Sequence, residues 1–150
     1  MIDCPVYSLA TVVDGHVNMN ICTYVTAVSM KPKMYAIALD PETKTFHNLS
    51  LDQEPTLQLL GKENISTIKS LGKRSGFKYD KDRFLKKKDL ITQWKGRDVL
   101  KHAAAYLKLR TRGKAETGDH HLFWLEVIGF KSNHDQVLSF QDLIKERIIL

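Results

Sequence analysis

Residues 118–130, GDHHLFWLEVIGF, join a polar turn to a strongly apolar segment. From residue 122 onward, both alternating sets of side chains are largely apolar. A strand with one solvated face alternates apolar and polar residues, whereas a strand that is apolar on both faces lies inside a sheet. The segment therefore predicts a central, buried strand, with Gly118 and Asp119 forming the bend that leads into it.

The N-terminal part of the chain predicts a β-hairpin. Residues 5–13 are apolar and include β-branched side chains, and residues 16–30 alternate apolar and polar side chains. Asp14 and Gly15 between them form a strong turn signal. Pro32 ends the second extended run.

The middle of the chain mixes short strands with short helices. Residues 34–39 are a short apolar strand on which Ala36 and Ala38 share one face, leaving room for a flat ligand or another backbone. The segments that follow predict, in order, a short helix capped by Thr43 or Thr45, a strand at residues 55–60, a helix at residues 62–72 ended by Gly72, and a loop at residues 73–84.

For two segments, the sequence fits either a helix or a strand. The alanines of residues 98–112 favour a helix, whereas the alternation from Ala105 onward favours a strand. The tail from residue 138 fits either a terminal helix or a last strand. Many strands with few, short helices predict a mainly β protein built as a small closed barrel.

Composition limits the classes of function. The 150 residues suit one domain, residues 1–150, with no linker, and the net charge of +6 suggests an anionic partner. The basic block at residues 83–88 has no interleaved aromatics and indicates a solvated face, so no nucleic acid is expected. No apolar run reaches the ~18–20 residues of a membrane span, and no signal peptide is apparent. Cys4 and Cys22 indicate free thiols and a cytoplasmic protein.

Several common chemical motifs are absent from the sequence. There is no G-x-G-x-x-G, no G-x-x-x-x-G-K-[ST] and no G-x-S-x-G segment. His120 and His121 are adjacent and would point to opposite faces of a strand, so no metal site is expected there. Thr43, Lys44 and Thr45 offer hydroxyls, a charge and a helix start for a phosphate, but this motif alone favours a plain helix cap with a solvated lysine.

Taken together, the segments resemble the flavin reductase-like family, whose fold is the FMN-binding split β-barrel of Greek-key type. The order of the segments carries the resemblance from about Pro5 to Phe130. The similar segments are the first strand with its D-G turn, VNMNICTYVTAVSMKP at residues 17–32, TKTFHNL at 43–49, LGKRSGFKYDKDRF at 71–84, VLKHAAAYLKLR at 99–110 and GDHHLFWLEV at 118–127.

The resemblance implies a fold, a cofactor and a site. It implies a strand at residues 103–112, a homodimer, and FMN bound near the subunit interface. The implied flavin contacts are Asn20, Ile21, Cys22 and Thr23 along the ring and ribityl chain, Ser29 closing that segment, Thr43, Lys44 and Thr45 at the phosphate, and Ser75 or Lys81 from the second loop motif of the same or the neighbouring subunit. His120 is the implied catalytic residue, beside the flavin where nicotinamide stacks.

Two functions follow from the resemblance. The first is a flavin reductase that transfers hydride from NAD(P)H to flavin. The alternative is an FMN-binding electron carrier, flavoredoxin-like, that has no nicotinamide site and exchanges electrons with a protein donor or acceptor. The sequence departs from the family at Lys33, Lys108, Leu109 and His121, which leaves the subfamily open.

Overall fold

Nine strands dominate the described chain, residues 2–148 of a computed structural model. The strands are β1 (Tyr7–Val13), β2 (His16–Met19), β3 (Val25–Met30), β4 (Lys33–Leu39), β5 (Thr56–Leu59), β6 (Ile91–Trp94), β7 (Arg97–Leu100), β8 (Ala105–Glu116) and β9 (His121–Ser132). The helices are short: α1 (Lys44–Asn48), α2 (Ile68–Gly72), α3 (Lys81–Lys87), α4 (Phe140–Lys145) and a 3-10 helix (Lys62–Thr67). The expectation of a mainly β protein with short helices is confirmed. No helix in residues 2–148 is long and apolar enough to cross a membrane.

Seven strands form one sheet, in the order β2-β1-β5-β8-β9-β4-β3, and β6 and β7 form a separate hairpin. The predicted first hairpin is present: β1 pairs with β2 across Asp14 and Gly15, whose φ angles of 52° and 77° suit a tight turn. Although β2 and β3 are neighbours in sequence, they lie at opposite ends of the sheet order. The chain must therefore pass from one edge of the sheet to the other between them.

This passage is made by residues 20–24, called here the bridging segment. A flat sheet of seven strands would separate its edges by about 29 Å, at roughly 4.8 Å per strand. The six steps from Met19 to Val25 span at most about 22 Å. The sheet therefore has to curl so that its two edges approach each other.

Isolated hydrogen bonds hold the bridging segment between the two edges. Cys22 exchanges both backbone hydrogen bonds with Tyr7 of β1, at 2.8 and 2.9 Å, and the carbonyl of Tyr24 accepts from the amide of Ala38 in β4 at 3.0 Å. No ladder joins β2 to β3 within residues 2–148. The expectation of a closed barrel is therefore not confirmed; the structure shows a curled sheet with a gap that this segment crosses.

The core lies on both sides of the curled sheet. One apolar cluster lies on one face of the sheet, with side chains of β1, β4, β5, β8 and β9: Leu9, Ile37, Leu39, Leu57, Leu107, Leu109, Phe123 and Leu125. A second cluster packs β1 and β2 against the helices and includes Ala10, Val17, Met19, Leu71, Leu85 and Leu143. Burial of these residues fixes the register of each strand, because a slip of one residue would expose them.

Strand β9 is central, as predicted, but only one of its faces is covered. It pairs with β8 on one side and with β4 on the other, and Phe123 and Leu125 are buried. Trp124 points the other way and is exposed, and Phe130, beyond a register shift near the end of the strand, is exposed as well. The prediction of burial on both faces is therefore wrong for the described chain, because the outer face of the strand has no covering layer there.

Three other predictions are resolved. The strand implied for residues 103–112 is confirmed from Ala105 onward. The loop predicted at residues 73–84 is wrong at its end, because the Asp80 side chain accepts from the Arg83 amide and starts α3. The tail forms helix α4, and its last two residues, 149 and 150, lie outside the described part.

Candidate functional site

A cleft of about 830 Å³ opens where the bridging segment crosses the gap in the sheet. Its walls are the bridging segment, the start of α1, the end of β4, residues 71–78 and the turn before β9. Small-molecule and cofactor sites typically have volumes of about 300–1,000 Å³. The cleft is therefore large enough for a ligand of cofactor size.

The cleft brings together ten of the eleven residues that the sequence singles out. These are Asn20, Ile21, Cys22, Thr23, Thr43, Lys44, Thr45, Ser75, Lys81 and His120. Ser29 is not among the lining residues; it lies in β3, beside a register shift between Ala27 and Ser29. Its place in the strand separates it from the other predicted contacts.

The bridging segment offers backbone groups to the cleft rather than reactive side chains. The Asn20 side chain is occupied, because its Oδ1 accepts from the buried amide of Leu9 at 2.8 Å. Burial raises the pKa of the Cys22 thiol to about 12, so it stays protonated near neutral pH. Within the described residues, the backbone groups of Ile21 and Thr23 make no hydrogen bonds, and both residues are partly exposed. These groups are free to pair with a polar ligand.

Three side chains at the start of α1, those of Thr43, Lys44 and Thr45, have different roles. Thr43 caps the helix: its hydroxyl accepts from the Phe46 amide at 3.3 Å and donates to the Asp40 carbonyl at 2.7 Å. The Thr45 hydroxyl accepts from Asn18 Nδ2 at 3.1 Å. Lys44 forms no ion pair within the described residues and lines the cleft, so its charge is available to an anion.

A basic wall faces the bridging segment. Five cationic side chains line the cleft, against only two acidic ones, Asp40 and Glu42; the cations are Lys44, Lys73, Arg74, Lys78 and Lys81. Gly76 lets this wall come close, because a Cβ there would lie 2.4 Å from Asn18 Oδ1 and 3.0 Å from Lys44 Cβ. The excess of positive charge favours an anionic group on the ligand.

Lys81 is the most constrained of these cations. It is buried at the first position of α3, and its Nζ donates to the Met19 carbonyl at 2.9 Å and to the Leu71 carbonyl at 2.8 Å. Burial, helped by the nearby charge of Lys44, lowers the pKa of Lys81 to about 8. Lys81 therefore ties the end of β2, where the bridging segment begins, to the end of α2, where the basic wall begins.

His120 occupies a different part of the cleft. Its Nδ1 lies 2.8 Å from Asp119 Oδ1, which holds the pKa of that carboxyl below its usual value. Its ring meets the Tyr24 ring edge-on at 5.3 Å. His121 packs instead against Phe46 at 4.9 Å, so the adjacent histidines do lie on different sides of the strand. Within residues 2–148, no group of three or more His, Cys, Asp or Glu residues could hold a metal ion.

Sequence reasoning missed several lining residues. Asn18, Tyr24, Arg74 and Lys78 all face the cleft. Arg74 and Lys78 lie within the LGKRSGFKYDKDRF segment, so the motif itself was the available signal. Asn18 and Tyr24 could not be found from alternation, because the strand they were assigned to is interrupted by the bridging segment.

The residues present fit a flavin that carries a phosphate. The free backbone groups of the bridging segment suit the polar edge of a planar ring, and the basic wall suits a phosphate. Ala38 lines the cleft and is small enough to let a flat ring come close. The donor set therefore agrees with the cofactor that the sequence resemblance implies.

Comparison with known proteins agrees with this fit. The sequence model of the flavin reductase like domain matches residues 2–143. No curated protein matches the sequence.

Similar solved structures include two flavin oxidoreductases and a flavoredoxin. The flavin reductase of styrene monooxygenase from Pseudomonas putida S12 is 19% identical with a TM-score of 0.79, covering 93% of this chain and 86% of that one. The NADH:FAD oxidoreductase of Streptomyces globisporus C-1027, in complex with NAD and FAD fragments, is 17% identical with a TM-score of 0.80, covering 93% and 81%. Flavoredoxin from Methanosarcina acetivorans is 19% identical with a TM-score of 0.76, covering 87% and 69%. Identities this low establish the likeness of fold.

The lowered pKa of the buried Lys81 predicts that the stability of the folded protein depends on pH. Because the folded state lowers the pKa of Lys81 from 10.5 to about 8, the unfolded chain binds more protons between these values. Stability from this group therefore rises as pH increases from 8 to 10.5. We expect the unfolding free energy of the wild type, minus that of Lys81→Met, to grow by up to about 3 kcal/mol over this range in urea titrations.

Lys87→Met is the matched control, since Lys87 lies on the same helix but is exposed. Its difference from the wild type should stay flat with pH. A flat difference for Lys81→Met as well would show that Lys81 keeps an ordinary pKa in the folded protein.

Proposed function

The chain belongs to the flavin reductase-like domain family, and on that premise we propose that it is a flavin reductase that binds FMN in the cleft and takes hydride from NAD(P)H. The observation that carries the proposal is the make-up of the cleft, in which free backbone groups, a basic wall and a histidine surround one cavity. The curled sheet with its crossed gap supports the further proposal that the fold is the family's split β-barrel.

Each wall of the cleft has a separate task in this proposal. The backbone groups of Ile21 and Thr23 hydrogen-bond the polar edge of the ring, and Lys44 with Arg74 holds the phosphate. Charge-assisted hydrogen bonds of this kind are about twice as strong as neutral ones. Thr43 and Thr45 position Lys44, since their hydroxyls already have partners in the protein.

His120 serves the nicotinamide in this proposal. Asp119 accepts from one ring nitrogen and Tyr24 packs edge-on, so these two contacts hold the imidazole in one orientation where it lines the cleft. In that orientation it positions the nicotinamide over the ring. A bound flavin supplies the hydride chemistry itself, while the protein supplies position and electrostatics. The proposal therefore requires no acid–base pair in the cleft.

We also propose a homodimer with the cleft near its interface. Strands β3 and β9 carry exposed apolar side chains, including Val28, Trp124 and Phe130. Exposed apolar surface of this kind commonly marks a protein–protein contact. Tyr24, which directly precedes β3, is also exposed and lines the cleft. Sedimentation equilibrium measures the mass of the protein in solution and should give the mass of two chains. The mass of a single chain at micromolar concentration would contradict the proposed dimer.

The alternative function is an FMN-binding electron carrier without a nicotinamide site. The similarity of the fold to that of a flavoredoxin supports this alternative function. Such a protein would bind flavin in the same cleft but would be reduced by a protein donor. The two functions differ in their response to NADH and NADPH.

The phosphate assignment predicts that Lys44→Ala weakens FMN binding. Losing one charge-assisted contact should raise the Kd for FMN about tenfold or more, measured by quenching of flavin fluorescence. Binding of riboflavin, which has no phosphate, should stay the same. Lys87→Ala removes the same charge from an exposed site outside the cleft and is the control. An equal loss for FMN and riboflavin would move the phosphate away from Lys44.

The nicotinamide assignment predicts that His120→Ala slows flavin reduction but leaves the flavin bound. Anaerobic mixing of the FMN-loaded protein with NADH or NADPH should bleach absorbance near ~450 nm, and the variant should be slower by about tenfold or more. His121→Ala changes the adjacent histidine, which packs against Phe46 outside the cleft, and should keep the wild-type rate. If neither nucleotide reduces the wild type but a protein donor does, the electron-carrier function is correct.

A further inference from the structure

One stretch of twenty residues, 69–88, accounts for the positive charge of the whole chain, and it is called here the basic segment. It contains nine basic and two acidic residues, a net charge of +7, whereas the complete chain carries +6. The other 130 residues together therefore carry a net charge of −1. Charge of one sign that is concentrated in this way creates a local field that attracts the opposite charge.

The basic segment is folded back on itself. The Lys81 ammonium at the start of α3 donates to the Leu71 carbonyl near the end of α2 at 2.8 Å. Arg74 lies over the Tyr79 ring at 4.5 Å, and that ring meets the Phe84 ring at 6.0 Å. These contacts join α2, the loop and α3, so the cations of the segment belong to one part of the surface.

Most of these cations have no partner in the protein. Eight of the nine are exposed, and among the eight only Lys86 forms an ion pair within the described residues, with Asp82 at 3.1 Å. The arginines of β7 and β8 are paired instead: Arg97 with Asp52, Arg110 with Glu54, and Arg112 with Glu126. The basic segment thus presents free positive charge that the rest of the surface does not.

Helix stability explains only part of this arrangement. Lys87 and Lys88 lie at the C-terminal end of α3, where a cation is favourable. Arg83 lies in the first turn of α3, where a cation is unfavourable, and like charges four residues apart on a helix, here Arg83 and Lys87, repel each other. Lys78 lies in the loop between the helices. The fold therefore does not require Arg83 or Lys78.

An exposed aromatic side chain lies among these cations. Phe77 is 58% exposed, and it is the one exposed large apolar side chain of residues 69–88. Its ring meets the edge of the exposed His47 ring at 5.5 Å. In protein–protein interfaces, a few aromatic side chains supply much of the binding energy and polar or charged residues surround them.

We propose that the basic segment is a docking surface for an acidic protein, with Phe77 as an apolar anchor among its cations. Lys73, Arg74 and Lys78 also line the cleft, so a protein docked there lies beside whatever the cleft holds. The docking surface itself does not depend on the proposed function. The choice of an electron-transfer protein as the partner rests on it, since such a protein would then lie beside the flavin.

Other partners fit this surface less well. Single-stranded nucleic acids stack on several aromatic rings in succession, whereas here only Phe77 is exposed and Arg74 covers Tyr79. Helices that lie in a membrane surface have a long apolar face, whereas α2 and α3 have five and seven residues. The same surface of a second copy would be repelled, because both carry positive charge.

The experiment measures binding of a plant-type [2Fe–2S] ferredoxin, a small acidic electron-transfer protein, by isothermal titration calorimetry. We expect a Kd in the micromolar range at about 20 mM salt that rises about tenfold or more at about 200 mM, because salt screens the charges. Arg83→Glu combined with Lys87→Glu should raise the low-salt Kd about tenfold or more. FMN binding should be unchanged, since neither residue lines the cleft.

The apolar anchor is tested separately. Phe77→Ala should raise the Kd for ferredoxin about tenfold and leave its dependence on salt unchanged, because the substitution removes packing and no charge. Leu51→Ala, which removes an exposed apolar side chain outside the basic segment, is the control and should keep the wild-type Kd. Equal Kd values for Phe77→Ala and the wild type would contradict the role of Phe77.

Lys95→Glu combined with Lys131→Glu makes the same change of net charge at two exposed positions outside the basic segment. It should raise the Kd by about threefold or less, since distant charges are screened. Equal losses in the two double variants would contradict a docking surface at residues 69–88.

The remaining outcomes separate the proposals. Absence of ferredoxin binding in a wild type that binds FMN would contradict the docking surface and leave the proposed function intact. Ferredoxin binding without FMN binding would do the reverse. Stronger binding to single-stranded DNA or to phosphatidylserine vesicles, lost in Arg83→Glu with Lys87→Glu, would assign the surface to nucleic acid or to a membrane instead.

Discussion

The structure depends on one constraint, which is that residues 20–24 must join two opposite edges of a seven-stranded sheet. The segment is too short to cross a flat sheet, so the sheet curls until β1 and β4 can both hydrogen-bond to it. A continuous strand in this place would pair all of its backbone groups. The bridging segment pairs only some of them, and Ile21 and Thr23, whose backbone groups have no partner within the described residues, line the cleft. The irregularity that lets the chain cross the gap thus also creates polar groups for a ligand.

The second requirement is that the basic wall be held against this segment. Lys81 meets it with one buried ammonium group, which binds a carbonyl on each side of the cleft. The next residue, Asp82, accepts from the Val17 amide at 3.0 Å and so fixes α3 to the exposed edge of β2. Two adjacent side chains at the start of α3 therefore position the whole wall. Gly76 completes the arrangement, since any larger residue there would push residues 73–78 away from Asn18 and Lys44.

The sequence predicted the regular parts of the fold and the composition of the cleft, for identifiable reasons. The Asp14-Gly15 hairpin and the Thr43 cap are local, so turn and capping chemistry alone is enough to find them. The family resemblance, carried by the order of the motifs, named eleven residues, and ten of them line one cleft. The interruption of the long alternating run at residues 20–24 was not predictable from alternation, because it results from the long-range closure of the sheet. The exposed face of β9 was missed for the same reason: periodicity shows that a face is apolar, but not what covers it.

In the proposed function, the gap in the curled sheet, rather than another surface, receives the flavin. Amide chemical shifts of the ¹⁵N-labelled protein during titration with FMN test this most directly, because they report the position of the ligand without relying on activity. We expect the largest shifts at Ile21, Thr23, Lys44 and Gly76, with little change in the separate hairpin of β6 and β7. Shifts centred on that hairpin or on the outer face of β9, with the bridging segment unchanged, would contradict it.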